Sequence, residues 1–144
     1  MKNTKTTETW LMLIWVQSLV ATLGSLFFSE IMGYVPCELC WIQRIFMYPL
    51  VIIYGTALFK KDVSIALPGL ILSGIGIFVS LYHYLVQKLP DLHVAGGSCG
   101  AVPCNTEYVN YFGFVTIPFL AGIAFIVIVV LHTVLLKKSR SGRN

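Results

Sequence analysis

The stretch Pro36–Arg44 reads P-C-E-L-C-W-I-Q-R and lies where a short polar connection meets a long apolar run. Pro36 fixes its own φ and disfavours helix in the residue before it, so we expect extended chain up to Pro36 and a helix that begins near Cys37. A thiol at a helix N-terminus experiences the positive end of the helix dipole, which favours the reactive thiolate. The motif therefore predicts a reactive dithiol, Cys37 and Cys40, at the start of a helix.

The rest of the chain is too apolar for a soluble protein. It has 144 residues, of which 57% are hydrophobic and 11% charged, whereas soluble domains carry about 25% charged residues. Four apolar runs of about 19 to 24 residues come close to the roughly 20 needed to cross a bilayer. We predict an all-α polytopic membrane protein, one domain over residues 1–144 that forms a four-transmembrane-helix bundle. Its helices are expected at about 10–28, 41–59, 63–86 and 116–136, and its outer loops at about 29–40 and 87–115.

The basic residues predict the orientation of the bundle. Eight of the ten Lys and Arg residues flank the apolar runs on one side, and cytoplasmic loops carry such an excess. Both termini are therefore expected in the cytoplasm of a multi-pass cell-membrane protein, with the two cysteine-bearing connections on the extracytoplasmic face, where disulfides persist. The net charge of +4 follows this pattern, so we predict no nucleic-acid partner. The eight residues are Lys2, Lys5, Lys60, Lys61, Lys137, Lys138, Arg140 and Arg143.

A second cysteine pair, Cys99 and Cys104, lies in the long polar connection and reads S-C-G-A-V-P-C. A disulfide across so short a loop gains little from chain entropy and connects no distant segments. An accessible disulfide suits attack by the thiolate of another protein, because thiol exchange requires access to the sulfur. We therefore favour a redox role for Cys99 and Cys104 over a structural one.

Other interpretations of the cysteines stay open at this point. Each pair can form a static disulfide in a small membrane scaffold, or the four cysteines can together bind one zinc ion. The expected oxidising location argues against zinc, and we predict no metal. Arg44 shares a helical face with Cys37 and Cys40, because the three are spaced i, i+3 and i+7. Its guanidinium can stabilise a thiolate or polarise a bound acceptor, or it can reach the interface as a simple anchor.

Over nearly its whole length the chain resembles the DsbB family of membrane disulfide-generating oxidoreductases. The resemblance rests on the C-x-x-C that opens helix 2, on Arg44 four residues later, and on the second outer cysteine pair. Tyr82-His83 late in helix 3 also fits. Only four residues separate Cys99 from Cys104, which is shorter than in the best-known Gram-negative members and more similar to the short Gram-positive branch, the BdbC-like proteins.

The resemblance implies a direction of electron flow and a set of site residues. A thioredoxin-like (DsbA-like) extracytoplasmic oxidase would be the partner, and a membrane quinone, menaquinone in preference to ubiquinone, would be the final acceptor. The protein would act as a monomer in contact with membrane lipid. In this scheme Cys99 exchanges with the partner, and Cys40 faces the quinone. The implied catalytic residues are Cys37, Cys40, Cys99 and Cys104, and the implied quinone-binding residues are Gln43, Arg44 and His83.

Overall fold

The computed structural model describes residues 2–89, 91, 110 and 112–142. The predicted redox residues Cys99 and Cys104 lie outside the described residues. Four long α-helices account for most of what is described, and each is long and apolar enough to cross a membrane. The predicted all-α membrane fold is thereby confirmed for this part of the chain. The helices are α1 (Lys2–Leu26), α2 (Glu38–Lys60), α3 (Leu67–Lys88) and α4 (Ile117–Ser141).

Two short irregular elements extend this pattern. A π-helical turn, Phe27–Ile31, continues α1, and a 3₁₀ turn, Val63–Ala66, precedes α3. Between the π-helical turn and α2 the chain is extended, and Cys37 is the N-cap residue of α2 with φ −73° and ψ 174°. Helix α2 thus begins where Pro36 predicts it to begin.

Helices α1 and α4 extend further than their apolar runs. α1 begins at Lys2 rather than near residue 10, because its polar first turns make contacts of their own. Glu8 forms an ion pair with Lys61 at 3.1 Å, and the ammonium of Lys138 lies 4.8 Å from the centre of the Trp10 ring. α4 continues to Ser141 rather than ending near residue 136, and its basic last turn suits the negative end of the helix dipole.

The four helices form a ring in which each packs against two neighbours. α1 contacts α2 and α4, α3 contacts the same two helices, and the diagonal pair α2 and α4 has little contact. The C-terminal ends of α1 and α3 therefore meet the N-terminal ends of α2 and α4. We call this the dithiol end, because Cys37 and Cys40 lie there; Lys5, Lys60, Lys61 and Lys137 lie on helix ends and turns at the opposite, basic end.

The core between the two ends is apolar and closely packed, with fully buried Leu50, Tyr54 and Phe125 at its centre. Gly76 of α3 lies directly against the ring of Phe125 on α4. A Cβ placed on Gly76 would lie 2.6 Å from two carbons of the Phe125 ring. The fold therefore requires glycine here in order to seat an aromatic ring.

Gly76→Ala is expected to lower the free energy of unfolding by about 1–3 kcal/mol, the cost typical of overpacking a filled core. Gly74→Ala on the same helix is the matched control, because a Cβ at Gly74 would meet nothing within 4 Å. Its effect should stay within about 1 kcal/mol. Unfolding by SDS titration in mixed micelles measures both variants, and equal losses would contradict the packing assigned to Gly76.

Candidate functional site

The dithiol lies at the first turn of α2, with its two sulfurs in contact. Cys37 Sγ donates a hydrogen bond to Cys40 Sγ across 3.3 Å, a separation well beyond the about 2.05 Å of a disulfide. The structure therefore describes the reduced pair, with two thiols and no disulfide. Cys37 is 7% exposed, whereas Cys40 is half-buried. The two sulfurs consequently have different surroundings, and only Cys40 has much surface to offer a reactant.

His83 lies beside Cys37, the more buried cysteine of the dithiol. This residue of α3 is fully buried, and its Nε2 is 3.6 Å from Cys37 Sγ. Val86, one turn further along α3, packs against the same cysteine. Sequence reasoning assigned His83 to the acceptor, but the structure puts it against the sulfur of Cys37. An imidazole in this position can exchange a proton with that thiol.

The proton of Cys37 is held more firmly than its location at a helix start predicts. The hydrogen bond to Cys40 and then burial raise the pKa of the Cys37 thiol from an ordinary 9.0 to about 12, while contact with His83 lowers it by a smaller amount. At Cys37 these effects oppose the helix dipole, which by itself favours the thiolate. Because Cys37 donates and Cys40 accepts, negative charge within the pair is directed to Cys40.

An apolar cavity of about 180 Å³ opens on the other side of the dithiol. It lies between the end of α1, the extended segment 34–36, the first turns of α2 and the first turns of α4. Cys40 lines this cavity, while Cys37 and His83 are not part of its wall. A mostly apolar cavity with a few convergent polar groups is typical of small-molecule sites. Its apolar wall includes Phe28, Met47, Ile117 and Leu120.

Arg44 brings a positive charge to the wall of the cavity, one turn below Cys40. Its Nε donates to Ser25 Oγ at 3.0 Å, and its Nη2 donates to the backbone oxygen of Ser25 at 3.2 Å. The guanidinium also lies 5.2 Å from the centre of the Trp41 ring. These contacts hold the Arg44 side chain toward α1, at the wall of the cavity. A guanidinium has five N–H donors, so further donors are available to an oxygen in the cavity.

Gln43 is the third polar residue of α2 in the cavity wall. It is 5% exposed, and its Nε2 donates to Ser80 Oγ of α3 at 3.2 Å. That bond fixes the side-chain amide between α2 and α3. The sequence-based assignment included Gln43 and Arg44 but not Ser80 and Ser25, which hold them. Single serines within apolar runs give no distinctive signal, although serine commonly forms hydrogen bonds between membrane helices.

The structure thus brings together five of the seven predicted site residues and divides them into two groups. Cys40, Gln43 and Arg44 border the cavity, while Cys37 and His83 are in contact behind them. The remaining two, Cys99 and Cys104, belong to the part of the chain that is not described.

Comparison with known proteins identifies the family. The family model described as "Disulfide bond formation protein DsbB" matches residues 7–135. This chain belongs to the DsbB family. It is 62% identical over 138 residues to a "Probable disulfide formation protein" of Oceanobacillus iheyensis, with 95% of each chain covered. It is 53% identical to the "Disulfide bond formation protein C" of Bacillus subtilis over 116 residues, which are 81% of this chain and 84% of the relative.

A more distant relative supports the same assignment. The chain is 37% identical over 138 residues to the "SPbeta prophage-derived disulfide bond formation protein B" of Bacillus subtilis, with 96% of this chain and 93% of the relative covered. No solved structure matches. Together with four apolar helices, these relationships make the protein a multi-pass membrane protein of disulfide bond formation, a protein-disulfide oxidoreductase. The resemblance noted from the sequence is confirmed.

Proposed function

We propose that this protein reoxidises a thioredoxin-like extracytoplasmic oxidase and transfers the electrons through its two cysteine pairs to a membrane quinone. The observation that supports this proposal most directly is the position of Cys40 and Arg44 together in the wall of one apolar cavity. A sulfur that can react and a cation that can bind an oxygen thereby border the same space. Cys37, Cys40, Cys99 and Cys104 are the proposed catalytic residues.

The cavity suits a quinone in its chemistry. A quinone ring is flat and apolar with two carbonyl oxygens, so it needs an apolar site with a hydrogen-bond donor. The cavity is mainly apolar, and Arg44 and Gln43 contribute polar groups to its wall. A bound quinone would take up two electrons and two protons. Menaquinone is the proposed form, with ubiquinone as the alternative.

The residues of the chain have distinct proposed tasks. The partner's dithiol reduces the Cys99–Cys104 disulfide, and exchange with these thiols then reduces the Cys37–Cys40 disulfide. Reoxidation of Cys37 and Cys40 forms one S–S bond and releases two electrons and two protons. Cys40 is the sulfur exposed to the cavity, and His83 Nε2, at 3.6 Å, is placed to accept the proton of Cys37. Arg44 orients the acceptor from its fixed position against Ser25.

The distribution of charge supports an orientation for this reaction. Lys60, Lys61 and Lys137 lie at the end of the bundle opposite the dithiol, and cytoplasmic segments carry such an excess of basic residues. We therefore propose that the termini lie in the cytoplasm and that both cysteine pairs lie on the extracytoplasmic face of the cell membrane. The protein is proposed to act as a monomer.

The proposed reaction is tested anaerobically with detergent-purified protein, a reduced thioredoxin-like oxidase and a soluble menaquinone analogue, by following the quinone absorbance. We expect reduction only when both proteins are present. Gly24→Leu should reduce the rate about 10-fold or more by raising the KM for quinone, because Gly24 lines the cavity and a Cβ there would meet nothing within 4 Å. A leucine side chain would therefore occupy the cavity.

Gly74→Leu is the matched control, since Gly74 also has open space around its Cβ but does not line the cavity. Its turnover should equal that of the wild type. Absence of quinone reduction by the wild type, with intact cysteines and a competent partner, would reject the quinone proposal. If Gly24→Leu and the wild type had equal KM values for quinone, the cavity would not be the quinone-binding site.

A further inference from the structure

The dithiol and His83 have the composition of a soft-metal site. The two sulfurs of Cys37 and Cys40 and a ring nitrogen of His83 all lie within 4.8 Å of one another. Thiolate and imidazole are the preferred ligands of zinc. The three side chains come from the start of α2 and the last turns of α3, so the folded bundle holds them together.

We propose that the reduced protein binds one zinc ion through Cys37, Cys40 and His83, and that this ion blocks the dithiol. Tetrahedral zinc with bonds of about 2.3 Å to sulfur and about 2.0–2.1 Å to nitrogen separates two sulfurs by about 3.8 Å and a sulfur from a nitrogen by about 3.6 Å. The structure has 3.3 Å between the two sulfurs and 3.6 Å between Cys37 Sγ and His83 Nε2. The two sulfurs need to separate by about half an ångström, and the Cys40 sulfur and the His83 nitrogen, which lie within 4.8 Å of each other, need to come to about 3.6 Å.

Charge balance favours zinc in this location. Binding releases one proton from each thiol, and two thiolates with a neutral imidazole cancel the two positive charges of the ion. A neutral complex avoids most of the penalty for placing a charge in a buried site. That matters here because Cys37 is 7% exposed and His83 fully buried. Three protein ligands leave the fourth position of a tetrahedral zinc to a water molecule or another small donor.

The consequence is inhibition by zinc of the reduced form. Once both sulfurs coordinate zinc, their lone pairs are engaged and the pair cannot form its disulfide until the ion leaves. The oxidised pair lacks thiolates and should not bind zinc. This site differs from a zinc site made of all four cysteines, because it needs His83 and neither Cys99 nor Cys104. It also does not depend on the proposed reaction with quinone.

The test uses full-length Cys99→Ser/Cys104→Ser protein, so that Cys37 and Cys40 are its only cysteines. The protein is reduced, freed of reductant and titrated with Co²⁺ and then Zn²⁺ without quinone or partner. We expect one equivalent of cobalt with the visible bands of a tetrahedral site and a thiolate charge-transfer band, both lost when zinc displaces the cobalt. Oxidation of the pair beforehand should abolish binding.

The variants identify the ligands. Cys37→Ser should no longer show the thiolate charge-transfer band when one equivalent of cobalt is added. His83→Gln should weaken zinc binding about 100-fold or more, which exceeds the effect of removing a residue that only hydrogen-bonds to a metal ligand. His132→Gln is the matched control, because His132 is also fully buried but lies on α4 beside Tyr54; its zinc affinity should equal that of the parent. A reduced parent protein that binds no cobalt, or His83→Gln binding zinc as tightly as the parent, would overturn the proposal.

Discussion

Serine at either Cys37 or Cys40 is expected to lower quinone reduction to the rate of the mixture without protein. The reaction releases two electrons by forming one S–S bond between these residues, so a single remaining sulfur cannot complete it. The described residues contain no third thiol that could replace either one. The coupled assay with reduced partner and quinone analogue measures the loss, and full turnover by either variant would contradict the proposed electron path.

The two serine variants should nevertheless differ in the reactivity of the cysteine that remains. In a Cys99→Ser/Cys104→Ser background, Cys37→Ser leaves Cys40 in the cavity wall, whereas Cys40→Ser leaves Cys37 at 7% exposure. Alkylation by N-ethylmaleimide at neutral pH should therefore be faster at Cys40 by about 10-fold or more, since thiolate character and access set the rate. Equal alkylation rates would contradict the asymmetry, while the turnover result would still stand.

The high pKa of Cys37 explains why the two cysteines should differ in reactivity. The thiol that donates to Cys40 remains protonated at neutral pH, because its pKa is raised to about 12. Cys40 is then the sulfur that receives a hydrogen bond and borders the cavity. A helix dipole alone would favour thiolate character near the helix start. Burial and the neighbouring sulfur outweigh the dipole at Cys37, which the spacing of the motif alone does not reveal.

The sequence predicts the helices of this protein better than it predicts the cavity. Pro36 correctly predicts where α2 begins, and hydropathy identifies four spans because the bilayer demands long apolar helices. Hydropathy does not predict that α1 begins at Lys2, because the first turns of this helix are polar. The ion pair of Glu8 with Lys61 and the contact of Lys138 with the Trp10 ring stabilise these turns.

The cavity could not be predicted because it forms between helices that are distant in the chain. Ser25 of α1 anchors Arg44, and Ile117 and Leu120 of α4 close the opposite wall. None of these residues differs in type from many others in its apolar run. The resemblance to the DsbB family assigned both Arg44 and His83 to quinone binding, whereas in the structure Arg44 lines the cavity with Cys40 and His83 contacts Cys37 outside the cavity wall.

Arg44→Ala is expected to raise the KM for the quinone analogue about 10- to 100-fold, because a hydrogen bond from a charged group contributes about 1.5–3 kcal/mol and each 1.4 kcal/mol is about tenfold. The KM for the reduced partner protein should not change, since Arg44 faces the cavity and is fixed toward α1. Steady-state kinetics with each substrate varied in turn separates the two constants.

Arg44→Lys and Ser25→Ala sharpen this test. Lysine keeps the charge but not the planar fork that reaches both Ser25 Oγ and the Ser25 backbone oxygen, so it should recover only part of the affinity. Ser25→Ala removes the hydroxyl and leaves the backbone acceptor, and its effect on the quinone KM should be smaller than that of Arg44→Ala.

If Arg44→Ala instead raised the KM for the partner protein and left the KM for quinone unchanged, Arg44 would contribute to binding of the partner. The cavity would then need another donor for its acceptor, and Gln43, which also lines it, would be the next residue to replace.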